Sequence, residues 1–213
     1  MLKRTTGRLL LSLLVITGLA GTLNNNSLSS AERRYATGLM KDSYKECLKT
    51  INGLTPAQFR FKSAPGSWSV ADCFYHLVIT ERDLWSNLEH VMKSPANPEK
   101  RAGIRLTDDE IGDLVSDGIP GMKSFGCPDR PKENLPSFDE AIAEFKKSRT
   151  TRIKYIKTST EDMRNHVVQM PFGAIDCYQL CLLIAMHSNR HIRQMNEIMN
   201  QADFPAGTTE AKK

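Results

Sequence analysis

The chain has 213 residues, a formal charge of +5 and 40% hydrophobic residues, which is enough for one domain with a sizeable core. Its 29 lysines and arginines are scattered among 24 acidic residues, with no basic run interleaved with aromatics, so the composition argues against a nucleic-acid partner. Residues 1–31 carry Lys3, Arg4 and Arg8 and no acidic residue, so without them the balance falls from +5 to +2.

Those residues read as a secretory signal peptide. The three cations form a positive n-region, Leu9–Ala20 is an apolar stretch too short for a comfortable membrane span, and small residues follow. Cleavage is expected after Ala31 (Ser29-Ser30-Ala31) or Ala20 (Gly18-Leu19-Ala20), leaving a secreted or periplasmic protein without a stable membrane span. No cysteine precedes Cys47, which excludes lipid attachment at a signal-peptide cysteine. The mature chain divides into a domain over 32–202 and a flexible C-terminal tail over 203–213.

Beyond the signal, the apolar spacing predicts four long helices. The first runs from about Glu32 to Ile51, with Tyr35, Leu39, Met40, Tyr44, Cys47, Leu48 and Ile51 on its apolar side and Gly53 just past its end. The second runs from about Val70 to Met92, with Ser69 and Asp72 as a capping pair and Pro95 after it. The third starts at Ser137, where Ser-Phe-Asp-Glu140 is a capping box, and runs to about Lys157. The fourth spans about Asp176 to Asn200 and turns Leu180, Ile184, His187, His191, Met195 and Ile198 inward. No strand run or hairpin signal is evident. The expected fold is all-α, a four-helix bundle with a long crossover, residues 93–136, between helices 2 and 3. That crossover is rich in Pro, Gly and Asp and holds a short helix near Thr107–Val115, signalled by Thr-Asp-Asp-Glu110.

The five cysteines, Cys47, Cys73, Cys127, Cys177 and Cys181, are an odd number in a chain that needs no staples, and read mostly as small buried apolar residues. Cys177 and Cys181, four apart, suit a metal as well as they suit packing.

The histidines carry the functional signal. His187 and His191 are four apart on one helix and therefore lie one above the other on one face. His76 sits mid-helix in the second helix. Imidazoles among apolar neighbours cost free energy unless something compensates them, and three neutral imidazoles with an open position is a common catalytic metal site. His90, near a helix end, and His166, in a connection, have no such setting. Asp72, Thr80 and Asp83 lie within about 40° of His76 on the helical wheel, and Asp72 or Asp83 could orient a ligand or act as a base. Glu81, about 140° away, is a poorer candidate. Gln194, one turn after His191, could hydrogen-bond a ligand.

Gly66-Ser67-Trp68-Ser69-Val70, followed by His76-Leu77, Glu81 and Trp85, resembles the second-helix signature of the DinB/YfiT-like superfamily, and LTPAQFRFKSAPGSWS resembles the joint that precedes it. His187-Ser188-Asn189-Arg190-His191-Ile192-Arg193-Gln194 resembles its last-helix signature. The resemblance covers roughly Arg33 to Asn200. It implies a four-helix bundle with a long crossover and one divalent transition metal held by His76, His187 and His191, with nickel or zinc foremost and manganese or iron as others. Some relatives are thiol-dependent S-transferases or isomerases, enzymes of the cytosol, where such thiols are abundant; an exported chain departs from that setting. The expectation is an exported metal-binding protein acting as a metal-dependent transferase or hydrolase on a small molecule, with a homodimer as a candidate assembly. The alternatives are a non-catalytic or stress-related protein in which the metal only ties helices 2 and 4, or a metal-free protein whose histidines are satisfied internally.

Overall fold

The structure is a computed structural model that describes residues 27–117 and 135–206. The n-region and apolar core of the expected signal, the crossover residues 118–134 with Cys127, and residues 207–213 of the tail lie outside the described residues.

Nearly every helix starts at a residue whose side chain accepts from an otherwise unpaired backbone N–H of the first turn. Ser29 and Glu32 form the capping box of α1 (Ser30–Ile51), Thr55 and Gln58 that of the short α2 (Pro56–Arg60), and Ser69 and Asp72 that of α3 (Val70–Met92). A 3-10 helix (Pro98–Gly103) and α4 (Asp108–Asp117) follow, the latter begun by Thr107 and Glu110. Ser137 and Glu140 open α5 (Phe138–Thr158), and Asp176 and Gln179 open α6 (Cys177–Met199).

α1, α3, α5 and α6 form the bundle, packed in the ring order α1, α6, α3, α5. The expected four-helix bundle is therefore present, with α4 in the crossover laid against α6. Contacts at the helix ends set the directions. Phe74 meets Phe138 and Phe145 at 5.8 Å near the starts of α3 and α5, and Trp85 meets Tyr155 at 5.4 Å towards their ends, so these two run the same way. Tyr178 donates to the Glu32 carbonyl at 3.2 Å where α6 and α1 begin, and Ile51 and Ile198 share a cluster where they end, so this pair is parallel too. Parallel neighbours need long connections, and the 93–137 segment supplies one.

Four details differ from the sequence expectation. Ser29 and buried Leu28 belong to the bundle, because the Ser-Ser-Ala that resembles a cleavage site also caps α1. The five-residue α2 fills the first joint. An antiparallel hairpin, β1 (Val167–Met170) and β2 (Gly173–Asp176), precedes α6, turning through Pro171-Phe172 with Gly173 at φ +132°, a conformation that suits glycine. The first tail residues are packed rather than free: Phe204 meets Phe61 at 5.3 Å and the Pro205 carbonyl accepts from Gln58 Nε2 at 3.0 Å.

The core is in two apolar clusters. One holds Leu84, Leu88, Ile111, Ile156, Ile175, Leu180 and Ile184; the other holds Cys47, Phe59, Phe74, Leu77, Phe145, Ile192 and Met195. On each long helix the residues between the clusters are polar and buried: Ser43 on α1, His76 and Glu81 on α3, Arg149 and Arg152 on α5, and His187, Ser188 and His191 on α6. The functional candidates occupy this middle layer.

Candidate metal centre

α6 presents His187 and His191 on one face, and α3, packed beside it, brings His76 to them. The three rings are 5%, 3% and 6% exposed for His76, His187 and His191. His191 Nε2 lies 3.0 Å from His187 Nε2, which lies 3.4 Å from His76 Nε2, and one nitrogen of each ring falls within 4.8 Å of the other two. Tetrahedral zinc–imidazole bonds of about 2.0–2.1 Å place neighbouring nitrogens about 3.4 Å apart, so the spacing suits one ion.

The neighbours fix ring orientation. His191 Nδ1 is 3.1 Å from Gln194 Oε1, an oxygen that only accepts, so Nδ1 carries the hydrogen and Nε2 turns its lone pair inward. Thr80 Oγ1 is 3.3 Å from His76 Nδ1. Gln194 thus does what its position one turn after His191 suggested, whereas Thr80 lies almost as near Nε2 of His76, at 3.4 Å, as Nδ1. Trp68, just before the α3 cap, packs against both helices' ligands: edge-on to His76 at 5.5 Å and stacked 17° from parallel on His191 at 6.2 Å.

Burial holds all three imidazoles in the neutral form that a metal requires. It pushes His76 down to about 4 and, with the nearby His76, brings His191 down to about 3. His187 is held well below the usual histidine range by burial, then by the two other rings and by Arg190 and Arg149. Three convergent, neutral nitrogen donors fit a divalent transition ion. Among the described residues the group includes no cysteine or carboxylate.

The two aspartates are placed elsewhere. Asp72 accepts from Ser69 N and Oγ at 2.9 and 2.8 Å and pairs with Lys62 at 2.6 Å, so capping turns its carboxylate back toward the start of α3. Burial would raise that carboxyl, but Lys62 and the Ser69 bonds outweigh it and hold it below its usual value. Asp83 is seven residues beyond His76, about 10 Å along the axis, and its side chain is 65% exposed beside Arg82. A shared helical face does not bring either to the imidazoles. His90 is exposed at the end of α3. His166 is buried, its ring nitrogens 2.7 Å from the Asp162 carbonyl and 3.0 Å from the Ser94 carbonyl, and it ties the hairpin to the end of α3. Cys47, Cys73, Cys177 and Cys181 are buried, with Cys47 and Cys177 pushed up to about 12 chiefly by burial.

Beside the triad lies a group that the sequence reading left out of the site. Glu81 pairs with Arg149 and with Arg152 (2.8 Å), and Ser188, next in sequence to His187, accepts from Arg149 and donates to Glu81 at 2.6 Å. The signal was available in α5: Ala141, Phe145, Arg149, Arg152 and Ile156 recur at three- and four-residue steps, so two arginines occupy core positions.

These features define a class: a four-helix bundle with parallel neighbours that concentrates three neutral imidazoles in its middle layer. The family model of the DinB superfamily matches residues 39–195, and the chain belongs to that superfamily. Among solved structures, YfiT from Bacillus subtilis is described as a probable metal-dependent hydrolase with an unusual four-helix bundle topology. It is similar at a TM-score of 0.54 and 14% identity over 81% of this chain and 89% of its own, a likeness of fold. No curated protein sequence matches the chain.

Proposed function

We propose that the protein is a metal-dependent hydrolase or transferase of the DinB superfamily, with His76, His187 and His191 holding one divalent ion and hydrolysis as the favoured chemistry. The observation that carries this is the convergence of three neutral imidazoles with no fourth ligand among the described residues of the group. Structural zinc sites are closed by four protein ligands, whereas catalytic ones leave a position open. The all-nitrogen donor set favours zinc or nickel, suits iron, and is a poor match for manganese, which prefers oxygen. When bound, the ion would supply Lewis acidity at the position left over. Around it, Gln194 orients the His191 ring, Thr80 contacts His76, and Trp68 packs on the rings of His76 and His191. The description of YfiT as a hydrolase supports the choice, as does an exported setting in which low-molecular-weight thiols are scarce. Titrating azide, then a thiol, into cobalt-loaded protein tests the open position. Spectral change on addition is expected; a spectrum blind to both ligands would overturn it. The second reading, a non-catalytic tie between α3 and α6, draws on the near-complete burial of all three rings.

The proposal includes export. Lys3, Arg4, Arg8 and the Leu9–Ala20 stretch support it, and no described helix is long and apolar enough to cross a membrane. Cleavage after Ala20 is the favoured site, because a cut after Ala31 would remove buried Leu28 and the Ser29 cap of α1. N-terminal sequencing of the mature protein is expected to begin at Gly21; an intact Met1 in a cytosolic fraction would overturn export.

A further inference from the structure

We propose that Arg149 is the positioning residue of the metal centre: it sets the register between α3 and α6 on which the meeting of His76 with His187 and His191 depends. This rests on the three-histidine reading above and extends it to residues that touch no ligand nitrogen.

Arg149 lies on α5, on the far side of the middle layer, and its guanidinium reaches every other long helix. On α1 its Nη1 donates to the Met40 carbonyl at 3.3 Å and to Ser43 Oγ at 3.1 Å. On α3 its Nη2 donates to Glu81, five residues after His76. On α6 the same nitrogen donates to Ser188, the neighbour of His187. Ser188 closes the loop to Glu81 at 2.6 Å, and Arg152 takes the other carboxylate oxygen at 2.8 Å. Arg149 is 0% exposed and Glu81 1% exposed, so water does not compete for these bonds.

The need for such a device follows from tolerances. A metal ligand is held to within about 0.2 Å of its ideal distance, whereas one residue of slip between helices moves a side chain by about 1.5 Å along the axis and turns it by about 100°. The apolar clusters above and below the layer hold α3 on α6, but apolar packing is non-directional and tolerates volume-conserving shifts. A planar guanidinium with fixed donor directions does not. It locks Glu81 and Ser188, and each lies within five residues of a histidine in the triad. Buried ion pairs can often be exchanged for apolar residues at little cost in stability, so a network of this kind has a role that stability alone does not explain.

The test separates positioning from folding. Arg149→Lys keeps the charge and loses the fork; the apolar set Arg149→Met, Arg152→Met and Glu81→Leu removes all three charges of the group. Met163→Ala, a buried residue outside the layer, is the control for lost stability. Each protein is stripped of metal, its melting temperature and helicity are measured, and cobalt and zinc affinities are determined by titration. Arg149→Lys is expected to remain helical and to bind the ions 10- to 100-fold more weakly, the range typical of lost outer contacts at metal sites. The apolar set is expected to lose as much affinity while melting close to the wild type. Met163→Ala is expected to melt lower and bind as the wild type does. Wild-type affinity in a folded Arg149→Lys, or equal loss in Met163→Ala, overturns the positioning role and leaves the triad standing. A wild-type protein that binds neither ion overturns both. If the apolar set does not fold, Arg149→Lys against Met163→Ala decides.

Discussion

Two polar groups share the middle layer, and they are built to opposite specifications. The Glu81–Arg149–Arg152–Ser188 group sets opposite charges together, one carboxylate between two guanidiniums, each arm of the carboxylate meeting one of them. The histidine group turns the Nε2 atoms of neutral rings toward one another at 3.0 and 3.4 Å. A set of convergent lone pairs is complete only when a cation stands among them. The contrast separates a part of the core that is finished by folding from a part that is finished by binding.

The largest effect should come from opening the finished group. Glu81→Leu alone strands Arg149 and Arg152 in the core, and breaking a buried pair in this way costs about 3–5 kcal/mol. Urea unfolding of the metal-free variant should show that loss, and restoring balance with Arg149→Met and Arg152→Met should recover most of it. Recovery of less than half would mean that the pair itself, rather than the orphaned charge, stabilises the fold. Next in size is the unfinished group. Chelation should leave helicity nearly unchanged, because two large apolar clusters hold the bundle, and should lower stability by about 2.7 kcal/mol relative to metal at a hundredfold excess over its dissociation constant. Elemental analysis should find close to one divalent ion per wild-type chain and little in His187→Ala or His191→Ala. Full occupancy in either variant would sink the triad. The smallest effect belongs outside the layer: Ser69→Ala should cost about 1 kcal/mol through the α3 cap and leave metal content unchanged. Metal loss in that variant would show that the Trp68–Ser69 turn also holds the site.

The sequence made the finishing-by-binding half legible and hid the other. The imidazoles announce themselves because histidine inside an apolar stripe is costly without a partner, and the spacing of His187 and His191 leaves one geometry. Capping at Ser69 and Ser137 was equally plain, since it depends on residues three apart. Glu81 was hidden by the same wheel that found the histidines: 140° from His76 it points away from the metal face, and only the neighbouring α5 makes that direction interior. The hairpin escaped notice because its strands are four residues each and its Pro171-Phe172 turn carries none of the usual Asn-Gly pairing. Asp72 and Asp83 show the converse error. A shared face says nothing about height along the axis or about a cap that claims the carboxylate first.

The placement of Trp68 gives the molecule an optical reporter of its own. The chain has two tryptophans, and the second, Trp85, sits against Tyr155, Glu89 and Arg152 on the α5 side of the bundle. An open-shell ion such as cobalt or nickel arriving among the imidazoles would therefore quench one indole strongly and the other weakly. In a Trp85→Phe background, the fading of the remaining emission reads out occupancy of the site directly, without a substrate.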